Sequence, residues 1–282
     1  MQVVVPVKSF KNAKKRLASV LTAGQRSDLM KQMLDDVLTA IAATAEVEGI
    51  TVVTSDAEVV EWLGKITPRL KMPLRAFDPN ASQSEFNPLR LNQHKPNPAD
   101  NKTGSDANLP PINSRAEAGL CHAYSTAAED LLARGASTML LLPADIPLVT
   151  KTDIEALLAE HTCPGVSLTA AGSDAGTNAL LVSPPTIIAP AFGDNSCQRH
   201  IALAREQGLQ PAVVNTPGLS LDIDTVEDIR ALLAAGRECA TLRYLLESGI
   251  AVELEKSAED GHLPSTKRQQ SGVQNQTNRQ VG

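Results

Sequence analysis

The run Thr138-Met139-Leu140-Leu141-Leu142-Pro143-Ala144-Asp145-Ile146-Pro147-Leu148 decides the fold class. Its strand portion is apolar without alternation, as expected of a strand covered on both faces in a parallel sheet. Pro143 offers no N–H to a ladder, so the strand stops there and leaves Asp145 at the rim of the sheet. Upstream, Glu117 to Arg134 reads as a helix closed by Gly135. Downstream, Thr150 and Asp153 cap a helix that reaches about His161.

The alternation of strand and helix continues outward from there. Val3-Val4-Val5 and Ile50-Thr51-Val52-Val53-Thr54 are short strands. Between them, Thr22 and Gln25 make a capping-box signature, and Leu29, Met33, Val37 and Ile41 share one helix face. Val166 to Ala170, Asn178 to Val182 and Pro211 to Asn215 read as strands. Ser196 to Gln207 is a helix ended by Gly208, and Thr225 with Asp228 caps another that stops at Gly236. The class is therefore α/β, in three layers, with a mostly parallel sheet between helices on both faces. In such sheets ligands bind beyond the carboxyl ends of the strands. Attention turns to the residues after Val5, Thr54, Leu142, Val182 and Leu221.

Composition narrows the function. Of 282 residues, 42% are hydrophobic, enough for a core. No run of about 18 apolar residues offers a membrane span. The N-terminus begins on an apolar run without a charged leader region, so a cytoplasmic protein is expected. With 26 basic and 32 acidic residues, a net charge of -6 and few aromatics, the chain lacks the basic surface and stacking rings of a nucleic-acid binder. Cys121, Cys163, Cys197 and Cys239 lie far apart with no CxxC pair, so neither zinc nor disulfides are indicated. Residues 78–113 hold seven Asn and six Pro and are expected to be a flexible insertion in a single domain spanning 1–254. Residues 255–282, rich in Gln and Asn, read as a disordered tail. After Gly236 a further helix carries Tyr244-Leu245-Leu246, which serve either internal packing or a homodimer contact.

Three strand ends carry candidate chemistry. Lys8 to Arg16 places five cations in nine residues after the first strand. They form either a phosphate clamp or a solvated basic loop. Neither GxxxxGKS/T nor GxGxxG occurs, which removes the main support for ATPase and dinucleotide-binding readings. Asp145 is either a turn residue or a ligand; Leu221-Asp222-Ile223-Asp224-Thr225 adds two carboxylates on one face of what reads as another strand end. Carboxylates from two strand ends meeting at one point would hold magnesium, with phosphates and water completing its octahedron. Asp224 has a second reading as a helix cap. Gly193 permits close backbone approach, and the N–H groups around Ser196 form an anion site, unless Ser196 is a plain N-cap. Arg199 and His200 lie in the first turn of that helix, where His200 alone reads as a packing or surface residue.

The segments PVKSFKNAKKRL (6–17), LMKQMLDDVLTAI (29–41), VVTSD (52–56), LLLPADIPL (140–148), GTNALL (176–181), FGDNSCQRH (192–200) and LDIDTVEDI (221–229) occur in this order. Together the set resembles the guanylyltransferases of coenzyme F-420 biosynthesis, the CofC/FbiD family, over about residues 1–236 apart from the insertion. The resemblance implies a nucleotidyltransferase fold and a reaction of GTP with a three-carbon phosphorylated acid: 2-phospho-L-lactate, phosphoenolpyruvate or 3-phospho-D-glycerate. By matching motif it implies that Lys8, Lys14 and Arg16 hold GTP phosphates and that Asp145 holds Mg2+. It also implies that Thr177, Gly193 and Ser196 grip the acid. Arg199 is expected to help hold that acid, and Ser55 and Asp56, after the second strand, to meet the base. Where the family usually reads Gly-Leu-Asn, this chain has Gly119-Leu120-Cys121. Rival readings are a nucleotidyltransferase acting on a sugar phosphate or molybdopterin, which usually opens with a Leu-Ala-Gly-Gly loop, and a non-catalytic nucleotide-binding module.

Overall fold

The computed structural model describes residues 1–81, 115–172 and 175–259. Its strands are β1 (Gln2–Pro6), β2 (Gly49–Val53), β3 (Leu74–Phe77), β4 (Met139–Leu141), β5 (Gly165–Ala170), β6 (Thr177–Ser183) and β7 (Ala212–Val213). They form one sheet in the order β3-β2-β1-β4-β6-β5-β7. Every neighbouring pair is parallel except those made by β6, which runs against β4 and β5. Helices α1 (Ala23–Ala43), α2 (Ala57–Leu70), α3 (Arg115–Ala133), α4 (Lys151–Ala159), α5 (Ser196–Glu206), α6 (Pro217–Ser220), α7 (Val226–Ala235), α8 (Ala240–Glu247) and α9 (Ile250–Glu259) complete the order.

Strand alternation divides the core between the two faces. Val3, Val5, Leu140 and Leu142 point to one side, where they join Leu29, Met33, Val37 and Ile41 of α1 and Ile229 of α7. Val4, Met139 and Leu141 point to the other, against Tyr124 and Leu131 of α3 and Ile201 of α5. All residues of β4 are buried, so each of its large side chains contributes about 2 kcal/mol by leaving water. The expected capping boxes form at the starts of α1, α4 and α7, through Thr22 with Gln25, Thr150 with Asp153 and Thr225 with Asp228.

Four expectations need correction. β6 is antiparallel, so Val182 ends at the far edge of the sheet, and it is the start of β6 that reaches the ligand side. A six-residue connection from β5 is too short for the crossover that a parallel neighbour requires. Residues 221–224 are not a strand; they are an irregular segment after α6, and β7 shrinks to two residues. The tail expected from Glu255 begins as the end of α9, while residues 260–282, like 82–113 of the insertion, lie outside the described residues. Helix α2 and strand β3 add an unforeseen pair between β2 and the insertion.

Two packing details bear on the site. Gly218 in α6 approaches the α4 capping box so closely that a side chain there would run into the Asp153 carboxylate and the Leu148 carbonyl. In α8, Leu245 is buried and the Tyr244 hydroxyl donates to the Gln25 carbonyl at 3.2 Å, so these two residues pack within the chain and Leu246 stays exposed. Among the described residues no helix is long and apolar enough to cross a membrane, and none of the four cysteines is in a disulfide.

Candidate active site

The basic loop after β1 is anchored from beneath. Val7, Phe10, Leu17 and Leu21 are buried, and Phe10 meets Trp62 edge-on with ring centroids 5.6 Å apart. A merely solvated loop would not sink four apolar anchors in this way. Lys14 takes the left-handed conformation, with φ 50° and ψ 47°, at the entrance to a short 3-10 turn. A side chain there costs about 1–2 kcal/mol. Its ammonium points inward to two carboxylates.

The Lys14 ammonium lies 2.6 Å from Asp145 and 2.8 Å from Asp224, with only 5% of the side chain exposed. Arg16, largely exposed, reaches the second oxygen of Asp224 at 3.1 Å. The two acidic segments are joined through the backbone as well, since the Ile223 N–H donates to the Asp145 carbonyl at 3.0 Å. Asp222 accepts a long 3.4 Å hydrogen bond from the Asn178 amide at the start of β6. The structure thus gathers Lys14, Arg16, Asp145, Asp222 and Asp224 at one place, although they come from three separate stretches.

Electrostatics in this cluster are uneven. Burial lowers the pKa of Lys14, but the charges of Asp145 and Asp224 outweigh it and leave the ammonium more firmly protonated than usual. Burial raises Asp224, yet Lys14 and Arg16 prevail and hold its carboxyl below the ordinary range. Asp222 is pushed up, by burial first and then by the negative charges of Asp145 and Asp224. Three carboxylates therefore face two cations, Lys14 and Arg16. As placed, no three His, Cys, Asp or Glu side chains among the described residues form a metal-holding group. The position between Asp145 and Asp224 is held by Lys14. The cap alternative for Asp224 is also settled: Thr225 is the N-cap of α7 and Asp228 closes its box, leaving the Asp224 carboxylate to the cations.

One cleft opens on this cluster and a second adjoins it. One, of about 350 Å³, is lined by Lys8, Lys14, Asp145 and Asp224. The other, of about 730 Å³, extends over the ends of β1 and β2 to Ser55, Asp56 and Asn80. These volumes suit a nucleotide-sized ligand. Lys8 is exposed and borders both clefts. Asp56 is chiefly the N-cap of α2, accepting the Glu58 N–H at 2.8 Å. Ser55 donates to Asp78 at 2.6 Å and accepts from Asn80 at 3.0 Å, so both residues are engaged at the mouth of the larger cleft.

The second predicted subsite lies beside Asn178. Ser196 is the first residue of α5 rather than its cap; the cap is Asn195, with φ 55° and no side-chain hydrogen bond. Two of the N–H groups expected to face an anion are already bonded, Ser196 to the Gly193 carbonyl at 3.0 Å and Cys197 to the Ala175 carbonyl at 3.2 Å. What remains is a buried hydroxyl pair. Ser196 Oγ donates to Thr177 Oγ1 at 3.1 Å, and Gly193, with φ 115°, lets the adjoining loop turn. Arg199 is 6% exposed and donates to the Phe192 carbonyl at 3.0 Å, while its Nε has no partner among the described residues. A buried guanidinium with no carboxylate partner among the described residues calls for an anion nearby. Asn178 and His200 escaped the sequence reading as site residues, although both stand inside the quoted motifs.

Known proteins resemble this chain over most of its length. The profile of the family described as "Guanylyl transferase CofC like" matches residues 1–67 and 114–265. A phosphoenolpyruvate guanylyltransferase of Sphaerobacter thermophilus is 33% identical over 229 residues, covering 81% of this chain and 90% of the relative. A 2-phospho-L-lactate guanylyltransferase of Methanobrevibacter ruminantium is 27% identical over 250 residues, with coverages of 89% and 92%. Among solved structures, one described as a nucleotide-diphospho-sugar transferase from Desulfovibrio desulfuricans superposes with a TM-score of 0.63. It covers 90% of this chain and 96% of its own at 17% identity, which speaks for the fold.

Proposed function

Because the chain belongs to the CofC-like guanylyl transferase family, we propose that it transfers the guanylyl group of GTP to a three-carbon acid carrying both a phosphate and a carboxylate, releasing pyrophosphate. The observation that carries this is the position of Lys14. Its ammonium sits between carboxylates from two separate segments, in the wall of a cleft that adjoins a nucleotide-sized one. Two polyanions must meet in this reaction, and cations placed at their junction are what it needs.

The acid's phosphate needs no general base, because its second pKa is about 6 and it is largely dianionic at neutral pH. One of its oxygens bonds to the α-phosphorus of GTP while the bond to the β-phosphate oxygen breaks, and the electron pair leaves with pyrophosphate. Positioning and charge stabilisation carry such transfers. Lys8, Lys14 and Arg16 meet the triphosphate, with Lys14 exchanging its carboxylate partners for phosphate oxygens as GTP arrives. Thr177, Ser196 and Arg199 receive the acid, and Asn178 links that subsite to Asp222. Ser55 and Asp56 border the end of the larger cleft assigned to guanine.

The donor set fits magnesium: Asp145, Asp222 and Asp224 are hard oxygen ligands, three carboxylates against the two cations Lys14 and Arg16. Bound there, the ion would offset charge on the reacting phosphates. A cytoplasmic location follows from the supply of GTP and of a small phosphorylated acid. Pyrophosphate release tests the whole reading, measured with GTP plus phosphoenolpyruvate, 2-phospho-L-lactate or 3-phospho-D-glycerate in turn. Release that depends on one of these acids is expected. Absence of release with all three would remove the reading.

A further inference from the structure

His200 is fully buried, 0% exposed, in the first turns of α5. Its Nε2 accepts the Ala191 backbone N–H at 2.8 Å, and a backbone N–H can only donate. Nε2 therefore carries no hydrogen. In a neutral imidazole the single ring hydrogen must then be on Nδ1, which lies 3.0 Å from Thr177 Oγ1. The same oxygen also accepts from Ser196 Oγ at 3.1 Å. A hydroxyl has two lone pairs and one hydrogen, so both acceptor positions of Thr177 are filled from within the protein.

We infer that His200 is a positioning residue for the acid subsite: its Nδ1–H turns the Thr177 hydroxyl into an obligatory donor whose hydrogen is directed away from the protein's own partners. Such a hydroxyl matches a carboxylate or phosphate oxygen, which only accepts. The ring is kept neutral by its surroundings. Burial first, and the Arg199 charge second, depress its pKa to about 3. Phe192 packs edge-on against it, with centroids 5.0 Å apart and planes at 70°. The inference rests on the reading that the acid docks beside Thr177 and Ser196.

The test uses the full chain with GTP and whichever acid supports turnover. His200→Phe keeps the bulk and removes the donor, and should raise the KM for the acid about tenfold, the size of one hydrogen bond to a charged partner, with a much smaller change in the KM for GTP. His200→Asn places an amide N–H near the Nδ1 position and should recover most of that loss. Thr177→Val should cost a similar factor, and the double variant little more than either single one. Equal losses for His200→Phe and His200→Asn, or equal rises in both KM values, would overturn the positioning role. Should His200→Phe fail to fold, nitrogen NMR of the wild-type ring decides: the Nδ1–H form supports the inference and the Nε2–H form ends it. An unchanged acid KM in Thr177→Val would instead withdraw the acid subsite itself, and this inference with it.

Discussion

The two halves of the cleft hold anions with opposite materials. Around Lys14 the groups are charged and partly wet: Asp145 and Asp224 have side chains 27% and 39% exposed, and Arg16 is 74% exposed. Around Thr177 they are mainly neutral and sealed, with Thr177 at 8%, Ser196 at 1% and His200 at 0%. In the charged half Arg16 and Asp224 can exchange partners, because salt links near water are individually weak, while the buried Lys14 can only trade one anionic partner for another. The neutral half cannot, since each buried hydrogen bond broken leaves an unsatisfied group. A triphosphate that must arrive and leave as pyrophosphate suits the first design, and a small acid that must be told from its neighbours suits the second.

The strongest way to break this contrast is Asp145→Asn. Turnover should fall by about 10²–10³-fold, as when a group stabilising transition-state charge is removed, with thermal unfolding nearly unchanged. Near-normal pyrophosphate release by this variant would deny the charged half its role. Next comes Lys14→Met, which removes the internal cation. Turnover should drop about 100-fold, while Mn2+ binding without nucleotide, followed by electron paramagnetic resonance, should tighten by about tenfold or more. Identical Mn2+ binding in the wild type would show that lysine and metal do not share these carboxylates.

Ser196→Ala probes the sealed half. The KM for the acid should rise about tenfold and that for GTP much less. A matching rise in both would mean that the halves are not separate. The last test concerns pH and stability rather than turnover. His200 has a folded pKa of about 3, below the unfolded value near 6.5, so the native state binds fewer protons in that window. Its contribution to stability is complete above pH ~6.5 and is lost as pH falls toward 3, at most about 1.4 kcal/mol per pH unit. Urea unfolding at several pH values in this range should show a shallower slope for His200→Asn than for wild type. Equal slopes would mean that the ring titrates freely.

Local signals made much of the scaffold legible. The capping boxes at Thr22, Thr150 and Thr225 and the apolar runs at Val3 and Leu140 all act within a few residues, and all appear where expected. Helix α2 was missed although Val59, Leu63 and Leu70 share its buried face, because Pro68 interrupts the pattern. Strand β3 is half-buried at a sheet edge and carries Arg75, so it lacks an apolar run. The direction of β6 is legible in the six-residue connection between Ala170 and Thr177, too short for a crossover. At the site, residue types announced the carboxylates and the basic loop, but nothing in sequence marks Lys14 as left-handed. Nor does it reveal which carbonyls would claim the Ser196 and Cys197 N–H groups. Those are outcomes of long-range packing.

Gly218 touches neither ligand position, yet α6 can sit against the α4 capping box only because that residue has no side chain. The irregular stretch bearing Asp222 and Asp224 begins immediately beyond it. Anyone seeking a hardier enzyme by exchanging glycines for alanine would do well to spare this one. An added methyl would wedge the short turn outward, carry the acidic stretch off its lysine, and exchange a stiffer chain for a poorer grip on substrate.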